Sequence, residues 1–219
     1  MSRDWARWHD DYNYPSSSLS TRLRIVQAHL TDAITAAPPG PVSLVSLCAG
    51  QGHDVLGVLP GHPRRDDVTA VLVELDPRNV RLAAARAERE GLAGVELRQA
   101  DAGVTAGYAD ALPADVLLLC GIFGNVSDDD ISRTVAAAPA LCAPGCTVIW
   151  TRHRRPPDVT LRVREWFAAA GFAEVAFEAP ETGSTPIGVG VHRRTAGRTV
   201  RSPTAALPPD PLFTFTASQ

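Results

Sequence analysis

The chain has 219 residues, enough for one domain with a well-buried core and an appendage. Hydrophobic residues make up 45% and charged ones 21%, an ordinary globular balance, and a net charge of −3 argues against a partner gripped through its phosphates. There is neither a charged-then-apolar leader nor an apolar run near ~18 residues, so the expectation is a cytoplasmic protein with no membrane partner.

In residues 1–38, Trp5, Trp8, His9, Tyr12 and Tyr14 crowd together, and Ser16-Ser17-Ser18 offers a helix N-cap. Leu19, Leu23, Val26, Leu30 and Ile34 then recur at spacings of three and four, which predicts an amphipathic helix. After three prolines comes the apolar run Val42, Leu44, Val45, Leu47, which breaks at Ala49-Gly50-Gln51-Gly52 and resumes as Val55, Leu56, Val58, Leu59. Strand, glycine turn and helix form the opening unit of a doubly wound α/β domain. Ligands of such sheets lie beyond the carboxyl ends of the strands, where glycine lets them approach bare backbone. The dinucleotide pattern G-x-G-x-x-G fails here, because Val55 stands at its third glycine.

A second strand, Ala70 to Leu75, brings Glu74 to its end, about twenty residues past the turn, where an acid accepts ribose hydroxyls. Asp76 reads as an N-cap with Pro77 at the first helical position, and the helix runs to about Glu90 before Gly91. Val95 to Gln99 is a third strand that ends in Ala100-Asp101-Ala102. Ala114 to Cys120 is a fourth, wholly apolar and of parallel type, leading into Gly121-Ile122-Phe123-Gly124-Asn125-Val126. The glycines around Phe123 suggest backbone near a ligand and a ring shaping a pocket. Ser127 with Asp128, Asp129 and Asp130 reads as a helix start rather than a metal site.

Pro144-Gly145 turns into a fifth strand, Cys146 to Thr151, which delivers Arg152-His153-Arg154-Arg155 to the ligand side. An imidazole there suits proton removal at neutral pH, while the arginines read equally well as a solvated loop. A helix from Pro156 through Ala170 ends at Gly171, and residues 173–178 and 187–193 read as a hairpin. The tail from Thr195 has the composition of a loose extension, although it ends in Leu212-Phe213-Thr214-Phe215. Cys48, Cys120, Cys142 and Cys146 lack the paired spacing of zinc sites and read as small apolar residues.

SLCAGQG resembles the first motif of class I S-adenosylmethionine (SAM)-dependent methyltransferases, hhDhGxGxG, with Ser46 in place of the usual acid and Cys48 in place of the first glycine. With VELDP, LLCGIFGN and WTRH, the resemblance covers roughly residues 40 to 193 and points to a bacterial group without assigned substrate. It implies an α/β, Rossmann-like, doubly wound seven-stranded sheet in the order 3-2-1-4-5-7-6, with one antiparallel strand and an N-terminal helical cap. The expected domains are a cap or lid at 1–38, the SAM-binding domain at 39–194 and an extension at 195–219.

The resemblance further implies SAM as cofactor, with S-adenosylhomocysteine (SAH) as product. Its site would use Ser46, Cys48, Ala49, Gly50, Gly52, Glu74, Leu75, Asp101, Ala102, Cys120, Gly121 and Arg22. Asp101 would meet the adenine amino group, and Arg22 or Arg24 the cofactor carboxylate. Tyr12, Tyr14, Phe123, Asn125 and His153 are expected around the acceptor, with His153 as base and no metal. Residues 1–24 are expected to close as a lid ordered by ligand. The absence of a D/N-P-P-Y/F loop after the fourth strand and the acidic balance favour a small-molecule acceptor, methylated on oxygen or nitrogen, over nucleic acid. The alternative is a non-catalytic SAM-binding or partner-binding domain. Oligomeric state is open, a homodimer included.

Overall fold

Val42, Leu44, Val45 and Leu47 are each no more than 1% exposed, and Leu117, Leu118 and Leu119 are fully buried, so the central strands are covered on both faces. The computed structural model describes residues 14, 17–180, 185–195, 208 and 210–216. Its strands are β1 (Val42–Leu47), β2 (Val68–Glu74), β3 (Val95–Gln99), β4 (Ala114–Leu119), β5 (Cys142–His153), β6 (Phe172–Glu178) and β7 (Ile187–Arg194). They form one sheet in the order β3-β2-β1-β4-β5-β7-β6, the order that the resemblance implied. The first five run parallel, and β7 is antiparallel to both β5 and β6. β1 pairs with both β2 and β4, so the winding reverses there and opens a crevice beyond their carboxyl ends.

Helices α1 (Ser18–Ala36), α2 (His53–Val58) and α3 (Pro77–Arg89) cover one face, and α4 (Asp128–Leu141) and α5 (Thr160–Ala169) the other. Val26, Leu30 and Ile34 of α1 are fully buried against the sheet, each worth ~1.5–3 kcal/mol, so most of this helix is a structural layer. Ser17, Asp76 and Ser127 cap α1, α3 and α4 by accepting from the backbone N–H groups of Ser20, Arg78 and Asp130. The end of α1 is secured from the loop before β2, where Arg64 donates to the carbonyls of Ile34, Ala37, Pro38 and Gly40. Among the described residues, no helix is long and apolar enough to cross a membrane.

Three expectations change. β5 begins at Cys142, which already pairs with Ala114; Pro144 and Gly145 lie in a register shift inside the strand rather than ahead of it. α5 begins at Thr160, because Asp158 accepts from both the N–H and the hydroxyl of Thr160 and so caps the helix from outside. The tail is not loose throughout: Leu212 is fully buried and Phe213 is 2% exposed, both within the core on the α4 side.

Candidate functional site

The turn after β1 is built by left-handed backbone. Cys48, Gly50 and Gly52 all have positive φ, and Cys48 is the one non-glycine among the described residues to do so. A Cβ on Gly52 would meet the Leu56 and Leu72 side chains at 2.9–3.1 Å, so this position combines positive φ with lack of room. Glu74, at the end of β2, ties the turn down: its Oε2 accepts from the Gly50 N–H at 2.7 Å and its Oε1 from the Asp76 N–H at 2.8 Å. Each carboxylate oxygen keeps a second lone-pair direction for an outside donor. Burial pushes the Cys48 thiol up, and the negative charges of Glu74 and Asp101 add to this.

Asp101 is exposed beyond β3, with Oδ1 accepting from the Gly103 N–H at 2.8 Å. Ala102 is buried, and its carbonyl accepts from the Tyr108 hydroxyl. Leu75 projects as a 64% exposed apolar side chain at the rim. Ser46 is buried inside β1 between Leu72 and Leu118. Ala49 packs against the core and donates its N–H to Val73.

At the end of β4, burial raises the Cys120 thiol; the charge of Asp54 adds to this, and that of Arg22 opposes it. Arg22 is buried, so α1 brings a guanidinium to this edge of the sheet. Arg24, the other arginine considered for a carboxylate, is exposed and donates to Thr21 of its own helix. Gly121 has φ +79°, open space where a Cβ would be, and an N–H donated to the Thr151 hydroxyl at 2.9 Å.

The β4–α4 loop corrects part of the acceptor reading. Phe123 is fully buried, its ring 5.9 Å from that of Trp150, so it supports the loop from the core and does not line the crevice. The Asn125 amide donates to the Gly121 carbonyl at 2.7 Å and braces the loop from within. His153 does sit against this loop: a Cβ on Gly124 would lie 3.2 Å from its Cδ2. Burial lowers its pKa, as do the charges of Arg152 and Arg155; Asp158 and a hydrogen bond with the Gly124 backbone oppose them. Its Nδ1 is buried without a partner. Arg152, left open between pocket and solvent by the sequence, is buried, donates to the Phe123 carbonyl and lies 3.8 Å from Asp128.

Tyr14 is 64% exposed and its carbonyl accepts from the Ser17 N–H; Tyr12 lies outside the described residues, as does most of the expected lid. Sequence reading missed Asp54, Thr151 and the tail. A polar residue among the apolar ones of β5 marked Thr151, whereas nothing local marked the tail.

Comparison of the sequence with protein-family models and with curated proteins gave no match. Comparison with solved structures gave many. The magnesium protoporphyrin IX methyltransferase of Synechocystis PCC 6803, solved with bound SAM, is 11% identical over 89% of this chain and 92% of that one, with a TM-score of 0.69. The chain has the methyltransferase fold. The 1,6-didemethyltoxoflavin N1-methyltransferase of Burkholderia thailandensis, solved with its substrate and SAH, is 18% identical over 87% of each chain, with a TM-score of 0.61. A 4+2 cyclase, SpnF, is 16% identical over 77% of this chain and 82% of that one, with a TM-score of 0.56, so the same fold also serves another reaction.

Proposed function

We propose that this protein binds SAM in the crevice beyond β1, β2 and β4 and transfers its methyl group to a small-molecule acceptor. The observation that carries the reading is Glu74, whose carboxylate organises the glycine turn through Gly50 while keeping lone pairs for ribose hydroxyls. The remaining groups fit the cofactor: Asp101 and Leu75 for adenine, positive-φ Gly50 and Gly121 for close approach, and the buried Arg22 for a carboxylate. The small-molecule acceptor and the SAM or SAH bound in the structural relatives support the same reading.

When bound, SAM supplies a methyl group already activated by its sulfonium charge. The protein's share is to align the acceptor and keep water out. His153 would take the proton of a hydroxyl acceptor: it stands against the Gly124 backbone at the end of β5, and its lowered pKa keeps the ring neutral at pH 7. Ser46, Cys48, Ala49, Ala102 and Cys120 act through the backbone and shape of the turn rather than through charge. The alternative, a SAM-binding domain without transferase activity, is supported by the full burial of Phe123, which takes one ring away from the acceptor side.

The deciding experiment is calorimetric titration with SAH and, separately, NAD, followed by transfer from tritiated SAM to small-molecule extracts and to bulk DNA and RNA. Binding of SAH but not NAD is expected, with label only in small molecules. Binding of NAD alone would overturn the cofactor assignment, and stoichiometric label in nucleic acid the acceptor class. SAH binding with no labelled product from any extract would favour the alternative.

A further inference from the structure

The segment Asp210–Thr216 crosses the sheet edge between the two loops given opposite ends of the ligand. At one end, Asp210 Oδ1 accepts from the Thr105 N–H at 2.8 Å and from the Thr105 hydroxyl at 3.0 Å, and the Leu212 N–H donates to the Gly103 carbonyl at 2.8 Å. At the other, the Thr216 N–H and hydroxyl both donate to the Asn125 carbonyl, at 2.9 and 3.0 Å, and Phe215 forms an antiparallel bridge with Val126. Between them, Leu212 and Phe213 are buried in the core and the Thr134 hydroxyl of α4 donates to the Leu212 carbonyl. Gly103 records the closeness of the crossing: a Cβ there would lie 2.5 Å from the Phe213 carbonyl oxygen.

We propose that this segment is a positioning strap that fixes the Asp101–Thr105 loop relative to the Gly121–Val126 loop, and thereby the width of the ligand crevice. It touches the backbone of both loops, directly behind Asp101 on one side and on Asn125, the brace of Gly121, on the other. The two loops otherwise meet through the core, where Ala102 and Tyr108 lie in one cluster with Ile122, Phe123 and Val126, and the strap adds hydrogen bonds to both backbones on top of that apolar contact. Its effect on ligand affinity rests on the cofactor reading above; its effect on the loops does not.

Two measurements separate these. Amide hydrogen exchange without ligand compares the full chain, a chain ending at residue 209, a control chain ending at Thr216, and Gly103→Ala in the full and shortened chains. In the shortened chain, exchange should rise about tenfold in both loops while β6 and β7 keep their protection; the control should match the full chain. Gly103→Ala, which pushes on the strap at one end, should speed exchange at 121–126 in the full chain and add nothing in the shortened one, the signature of coupled sites. SAH affinity should fall about tenfold in the shortened chain and in full-length Gly103→Ala. Unchanged loop exchange after shortening, a rise shared equally by β6 and β7, or additive effects of the two changes would overturn the strap. Unchanged SAH affinity with faster loops would overturn its role in the crevice. Failure of the full chain to bind SAH refutes the cofactor reading, while the exchange data still decide the strap.

Discussion

The two halves of the crevice are built in different ways. The half beyond β1, β2 and β3 is made of backbone and two acids: Glu74 and the Gly50 N–H it binds stand 24 residues apart. The half beyond β4 and β5 is made of side chains from other elements that hold one loop: Thr151 holds Gly121, Arg152 holds Phe123, and Thr216 holds Asn125. The first half suits a fixed ligand, met by groups that need no side-chain reach. The second, on the proposed acceptor side, has a loop whose conformation depends on supports that can change without disturbing the glycine turn.

The largest effect is expected at His153. If it takes the acceptor's proton, His153→Ala lowers turnover on the order of a hundredfold or more while SAH affinity stays unchanged. Its burial and its arginine neighbours hold the pKa below 6.5, so wild-type turnover should stay level through neutral pH and fall only in acid below that value. Undiminished turnover in the variant would leave the acceptor half without a base and fit an amine acceptor.

Glu74→Ala probes the other half. It removes an acceptor from two backbone N–H groups as well as from ribose, which should cost about 3 kcal/mol, on the order of a hundredfold in SAH affinity by calorimetry. Unchanged affinity would remove the contrast between the halves, since the turn would then need no anchor.

That contrast also explains what could be read from the sequence. The strands themselves, the three helix caps and the position of Glu74 follow from local pattern, because apolar runs, glycines and capping residues act within a few positions of themselves, whereas the strand order and the role of Asp101 came from the resemblance. Phe123 defeats such reading. Between two glycines it resembles a loop residue, yet the aromatic cluster of Trp150, Phe167 and Phe177 draws its ring inward. The tail escapes for the same reason: its composition is that of an extension, and only the fold creates the apolar gap that Leu212 and Phe213 fill.

Beneath the acceptor half, the β5–β7 pairing should be acid-sensitive. His192 is fully buried, its Nδ1 accepting from the Trp150 indole N–H and its ring stacked 4.5 Å from Phe167. Burial pushes its pKa down to about 4, with Glu174, 3.7 Å away, pulling up and Arg164 pushing down. The unfolded chain takes up this proton near 6.5 and the folded one only near 4, so the contribution is complete above 6.5 and is lost as pH falls between those values, about 3 kcal/mol in all. Urea unfolding at pH 7 and pH 4.5 should show the loss, and His192→Gln should flatten it. An equal loss in the variant would assign it to other groups.

The smallest expected effect tests whether α1 belongs to the cofactor half as well as to the core. Arg22 and Arg24 lie two positions apart on one helix, but Arg22 is buried near Cys120 and Asp54 while Arg24 faces solvent. Arg22→Leu should weaken SAH about tenfold, the ~1.4 kcal/mol of one charge-assisted hydrogen bond to a partly solvated carboxylate. The same variant should bind methylthioadenosine, which has the nucleoside and the sulfur but no amino-acid carboxylate, as well as the parent does. Arg24→Leu should change neither affinity. Asp54 and Arg22 act on the Cys120 thiol with opposite signs, so removing the guanidinium should leave the acid's charge unbalanced at this edge. Asp54→Asn combined with Arg22→Leu should therefore recover part of the loss for SAH and none for methylthioadenosine. Equal weakening of both ligands by Arg22→Leu would instead make Arg22 a support of the β4 edge, and α1 purely a layer of the fold.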